Sequence, residues 1–306
     1  MKIFNDQHST SNIRWRTFTR ELGVGRSVLN VRYFPLALLL LLTLFAANVR
    51  AADSPWSRVM VIGASASAGF VLSEPLGGAE TTRCKLSYYL DAAIAAPHAP
   101  AKNLATSLFF MNPEAFAPPQ IAATTNDQPT LVIGVDFLFW FCYGDGDNDA
   151  ARAQRFEHGL KLLEQIRCPL VVGDIPDASY ATNSGIISSE QVPSEVARRA
   201  ANQRLKEWAA AHPQVVVVPL TKFMRDTMAN AAVRFHGQTL PAGKTRALIQ
   251  SDQLHPNPHG AVVLTLGILD ALVARQTEFP ATDIRWSPQE VFQIGYKAAN
   301  LSIKPN

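Results

Sequence analysis

The chain has 306 residues, 47% hydrophobic and 17% charged, a balance that fits one globular domain with room for a sizeable core. Its formal net charge is +3, but residues 1–51 hold Lys2, Arg14, Arg16, Arg20, Arg26, Arg32 and Arg50 against only Asp6 and Glu21, which leaves the remainder at −2. That remainder lacks the basic excess that nucleic acid or an anionic membrane surface would call for.

In chain order, the first feature is the apolar run Tyr33 to Ala47, with PLALLLLLTLFAA at its heart, basic residues before it and Val49-Arg50-Ala51 after it. A charged segment, an apolar segment and a small-x-small site read as a secretory signal cut after Ala51. The run is shorter than the roughly 20 residues of a comfortable membrane span. Residues 1–51 are thus expected to be a signal peptide and 52–306 a single domain, periplasmic or secreted, with no stable membrane span after cleavage.

Val59 to Phe70, VMVIGASASAGF, is an apolar strand that ends at Gly63 and delivers Ser65 at the turn beyond it. Thr82 to Ala95 has helical spacing through Leu86, Tyr89 or Leu90, and Ile94, and Pro97 and Pro100 stop it. Asn103 to Phe110 reads as a second strand. Thr130 to Val135, TLVIGV, is a run of the kind buried on both faces of a parallel sheet. Ala151 to Ile166 is an amphipathic helix with Phe156, Leu160, Leu163 and Ile166 on one side. Pro169 to Gly173 is a strand, Pro193 to Ala211 a helix, and Val215 to Val218 a fifth strand. Thr221 to Ser251 shows no clear period. Pro258 to Val273 is apolar nearly all round, hence a buried helix, with Asn257 as its N-cap. Ser287-Pro288-Gln289-Glu290 has the form of a capping box opening a last helix to about Ala299. Strands separated by helices of these lengths imply right-handed βαβ units, so the expected fold class is α/β: a three-layer α/β/α sandwich on a mainly parallel five-stranded sheet.

Chemistry collects beyond the carboxyl ends of parallel strands, where Ser65 is placed. A serine hydroxyl needs a base to take its proton and a carboxylate to orient that base. Near the far end the chain reads Ser251-Asp252-Gln253-Leu254-His255-Pro256-Asn257-Pro258. At that spacing the Asp252 side chain can fold back onto one imidazole nitrogen of His255 while the other faces a crevice.

Other candidates are weaker. Asp145-Gly146-Asp147-Asn148-Asp149 alternates carboxylates like a calcium loop, but the sixth position is Ala150 and the twelfth Phe156, so capping and a solvated turn explain it better. No metal or organic cofactor is expected. Phe137, Phe139, Trp140, Phe141 and Tyr143 are either core or the lining of an acyl or ring pocket. His98, His158, His212, His236 and His259 have no evident partners and read as surface or helix-end residues. Cys84, Cys142 and Cys168 are too few for a disulfide scaffold and lack C-x-x-C spacing. Three small buried residues is the plainer reading, with one disulfide left open.

At both ends the sequence resembles the SGNH/GDSL hydrolase superfamily. The family's first block, G-D-S-L followed by S-A-G and an aromatic, is matched by Gly63 to Phe70 at six of eight places. Its last block, D-x-x-H-P-N-x-x-G, is matched by Asp252 to Gly260 at every fixed position. The resemblance implies a flavodoxin-like sandwich and an esterase with Ser65 as nucleophile, His255 as base and Asp252 as its orienting partner, acting on a small-molecule or glycan-linked ester. It also implies an oxyanion hole from the Ser65 N–H and two further positions. One, an asparagine in the family's G-x-N-D block, falls on Asp136; the other, a glycine N–H, falls on Leu108. An O-acyltransferase of envelope polysaccharide and a catalytically impaired ligand-binding protein are alternatives on the same fold.

Overall fold

The computed structural model describes residues 54–144 and 148–303, all within the unit Ala52–Asn306. The expected signal segment and residues 145–147 of the calcium-like loop lie outside the described residues. In chain order the main elements are β1 (Val59–Val61), α1 (Ser65–Ala68), α2 (Ala79–Arg83), α3 (Leu86–Ala93), β2 (Lys102–Asn103), α4 (Pro113–Asp127) and β3 (Leu131–Gly134). They continue with α5 (Phe139–Cys142), α6 (Asp149–Leu163), β4 (Leu170–Gly173), α7 (Glu195–Ala210), β5 (Val215–Val218) and α8 (Leu220–Met228). A hairpin of β6 (Val233–Phe235) and β7 (Gln238–Leu240) precedes α9 (Pro258–Val273) and α10 (Pro288–Ser302). No helix among the described residues is long and apolar enough to cross a membrane.

Five strands form a parallel sheet in the order β2-β1-β3-β4-β5. β1, β3 and β4 are buried along their whole lengths, as their unbroken apolar sequences require, whereas the edge strand β5 alternates. Alternate side chains feed two cores. Leu131 and Ile133 join α3, α9 and α10 on one face, while Val132, Leu170 and Val172 join α4, α6 and α7 on the other. This is a three-layer α/β/α sandwich. The chain leaves β1 toward β2 on one side and β3 on the other, so the topological switch point, where such folds open a crevice, lies between the carboxyl ends of β1 and β3.

Four stretches differ from the sequence-based expectation. The strand expected over Asn103 to Phe110 is two residues of β2 followed by a 3-10 turn, Ser107–Met111, capped by Thr106. The single helix expected over Thr82 to Ala95 is divided between α2 and α3, with Lys85 extended at the break. α4 gave no signal because Pro118 and Pro119 sit inside it; both lie on the exposed side, where the carbonyls they leave unpaired can reach water. The aperiodic region after Thr221 holds most of α8 and the β6–β7 hairpin, which turns through His236 and Gly237, both at positive φ.

Candidate active site

Ser65 opens α1 directly beyond β1. The turn that delivers it depends on Gly63, whose φ of 129° suits glycine and where a Cβ would lie 2.1 Å from Asp136 Oδ1. The buried amide of Gln120 brackets this glycine: the Gly63 N–H donates to Gln120 Oε1 at 2.7 Å, and Gln120 Nε2 donates to the Gly63 carbonyl at 3.0 Å. α1 is tied to both neighbouring strand ends. From β2, Asn103 Nδ2 donates to the Ser67 carbonyl at 2.9 Å. Beyond β3, Asp136 accepts the Ala64 N–H at 3.1 Å, the Ser67 N–H at 3.1 Å and the Ser67 hydroxyl at 2.6 Å.

The loop before α9 comes to the same point. The His255 ring places Nε2 2.7 Å from Ser65 Oγ and Nδ1 2.8 Å from Asp252 Oδ2. Asp252 Oδ1 accepts the N–H groups of Leu254 and His255, both at 3.0 Å, a closed turn that the left-handed Gln253 (φ 62°) makes possible. An ionised carboxylate only accepts, so Nδ1 carries the proton and Nε2 is left to accept from the serine hydroxyl. Burial pushes the Asp252 pKa up, but the hydrogen bond and charge of His255 and the two N–H donors outweigh it and hold the carboxyl below its usual range. Ser65, Asp252 and His255 are all buried. Gln250 braces the loop by donating from Nε2 to the carbonyls of Phe70 (2.7 Å) and Pro256 (2.9 Å), and Ser184 Oγ donates to the Asp252 carbonyl at 2.7 Å. The Phe70 ring lies against His255 with centroids 4.3 Å apart. The structure thus brings together three side chains that are 190 residues apart at the extremes.

The two expected oxyanion-hole positions, Asp136 and Leu108, each have hydrogen-bond partners of their own. Burial holds the Asp136 pKa above the usual carboxylate range, even against the donors from Ser67, Ala64 and Ala66 that lower it. Its two oxygens take up the Ala64 and Ser67 N–H groups and the Ser67 hydroxyl and so tie down the turn that carries Ser65. Leu108 turns its N–H to the capping hydroxyl of Thr106 at 3.3 Å, and it does not line the cavity beside Ser65. The Ser65 N–H is not among the groups that Asp136 takes up.

That cavity, of about 70 Å³, is walled by Phe139 and Trp140 of α5, Leu220, Phe223 and Met224 of α8, and Leu254, Pro256 and Leu264. Of the five aromatics after Asp136, Phe139 and Trp140 face the cavity, whereas Phe137, Phe141 and Tyr143 are fully buried in the second core. Among the described residues no three His, Cys, Asp or Glu side chains gather as a metal site would require.

Among the described residues, the other five histidines have partners that the sequence did not show. His98 lies 3.4 Å from Asp91, whose hydrogen bond raises its pKa; His158 pairs with Glu114 at 3.1 Å and His236 with Asp270 at 3.4 Å. His212 Nδ1 is 2.7 Å from the Trp208 carbonyl, and His259 stacks on Phe292. The residues bracing the candidate site that sequence reasoning missed are Ser67, Gln120, Ser184 and Gln250. Gln120 and Ser184 sit in segments with no recognisable motif. Ser67 stood inside the Gly63–Phe70 block, and its invitation to a carboxylate was the readable signal.

No family profile and no curated protein matches the chain. Among solved structures, the crystal structure of TesA has a TM-score of 0.45 and 16% identity over 71% of this chain and 98% of its own. The crystal structure of YxiM from Bacillus subtilis has a TM-score of 0.43 and 16% identity over 71% of this chain and 56% of its own. The three-layer α/β/α sandwich on a parallel five-stranded sheet is the fold expected from the sequence.

Proposed function

We propose that this chain is an SGNH/GDSL-type serine hydrolase, exported by its first 51 residues, that cleaves carboxylic (O-acyl) esters through an acyl-enzyme. The observation that carries the reading is the continuous relay from Ser65 Oγ through the His255 ring to Asp252, with every hydrogen bond at 2.7–2.8 Å and all three side chains buried. In this reading Ser65 Oγ attacks the ester carbonyl as its proton passes to His255 Nε2. Asp252 holds the imidazole in the required tautomer and stabilises the imidazolium. The Ser65 N–H supplies part of the oxyanion hole. His255 then protonates the departing alkoxide, and water, activated by the same imidazole, releases the acid from Ser65. The residues at hand supply nucleophile, base and orienting carboxylate without calling on a metal or organic cofactor. The expected substrate is a small-molecule or glycan-linked ester met in the periplasm or outside the cell.

A panel of p-nitrophenyl esters offered to the full chain and to Ser65→Ala tests this. The wild type should exceed the variant by on the order of 10⁶-fold in kcat. Equal rates on every ester would overturn the esterase reading. N-terminal sequencing of the exported product should find Ala52 first; an intact Met1 would overturn the signal.

A further inference from the structure

We infer that the cavity beside Ser65 is an acyl pocket for an unsubstituted aliphatic chain of limited length, with Met224 at the position that sets the limit; this rests on the acyl-enzyme reading above. Apart from Ser65, His255, Asp136 and the indole of Trp140, the lining residues are apolar. A charged or hydroxylated acyl group would lose its hydration there without gaining a partner.

One wall is the inward face of α8. Leu220, Phe223 and Met224 are spaced to share that face, while Lys222 and Arg225 pair with Asp226 away from the cavity. The start of the wall is fixed. The Thr221 N–H donates to Asp174 Oδ1 at 2.6 Å and its hydroxyl to the Ile175 carbonyl at 3.0 Å. Leu220 sits so close to the end of β4 that a Cβ on Gly173 would lie 2.4 Å from its Cδ1. Leu264, from the buried helix α9, and the aromatic pair Phe139 and Trp140, in T-shaped contact at 5.1 Å, line the cavity's other sides. The pocket is therefore preformed.

Its size sets a ceiling. A water-sized group takes roughly 10–15 Å³ of such space, so a cavity of about 70 Å³ holds about five to seven of them, the room that a chain near hexanoyl fills. Each methylene buried on the way should raise kcat/KM about fourfold. Longer chains must leave part of their length in water or push the walls apart.

The test runs acetate, butyrate, hexanoate and decanoate p-nitrophenyl esters, with the monosuccinate as a charged comparison, against the full chain, Met224→Phe and Met224→Ala. Fluorophosphonate labelling of Ser65 is read in parallel, to show that each variant is folded and its serine activated. The wild type should climb to hexanoate, fall at decanoate and reject monosuccinate. Met224→Phe should lower the hexanoate-to-acetate ratio by about tenfold, and Met224→Ala should move the optimum toward decanoate. A flat profile, a climb that continues through decanoate, or variants that change all esters alike would overturn the pocket while a labelled Ser65 left the esterase reading standing. A wild type that takes no label would overturn both.

Discussion

Ser65, His255 and Asp252 were legible because each belongs to a short block whose spacing carries its chemistry. Asp136 was only half legible: its position after β3 could be read, but its task could not, since that depends on where Ala64 and Ser67 point their donors. Asp136→Asn exchanges one acceptor oxygen for an amide donor facing other donors. It should cost about 1–3 kcal/mol in denaturant unfolding and lower ester turnover as the Ser65 turn loosens. Unchanged stability would show that the carboxylate is not holding the turn. Asp252 carries a pH dependence. Its folded pKa is depressed, so the unfolded chain binds more protons through the window between the depressed and the ordinary value, and stability rises with pH there. The advantage of wild type over Asp252→Asn in thermal melts should be full at neutral pH and shrink as pH falls through that depressed value. A gap that is independent of pH would contradict the assignment.

Among the elements, the amphipathic helices α6 and α7, the all-apolar α9, the capped start of α10 and the apolar strands were readable, because burial and capping each leave a mark on the sequence. The elements that shape the site were less so. α4, which carries Gln120 to Gly63, is disguised by internal prolines, and α8, which walls the cavity, begins straight after the Pro219 that closes β5. Ser287 does cap α10 by accepting the Glu290 N–H at 3.3 Å, while a reciprocal capping box is formed by Ser188 and Gln191. The strand-to-helix turn after β1 is the element on which the serine depends. Gly63→Ala puts a Cβ into the space of Asp136 Oδ1 at a φ unfavourable to alanine, so it should destabilise the fold by about 1–3 kcal/mol or more and abolish ester cleavage. An active variant with unchanged Tm would mean that the turn tolerates a different path.

For the whole molecule, the alternation of strands and helices settled the class, and the observed order β2-β1-β3-β4-β5 explains why residues from both ends meet: β1 and β3 are neighbours at the switch point, and α9 brings the last block back over it. The cysteines could not be paired or unpaired from spacing. In the structure Cys84, Cys142 and Cys168 are free, and burial pushes the first two thiols up to about 12 and the third up to about 11. Native protein should therefore resist maleimide at neutral pH, and denaturation without reductant should expose three thiols. Recovery of only one would reveal a disulfide. The account as a whole stands on Ser65 being activated by His255, and intact-mass analysis after fluorophosphonate treatment measures that directly. The wild type should carry one adduct, on Ser65, and His255→Ala none over the same time. No adduct on the wild type, or equally rapid labelling of the variant, would contradict it.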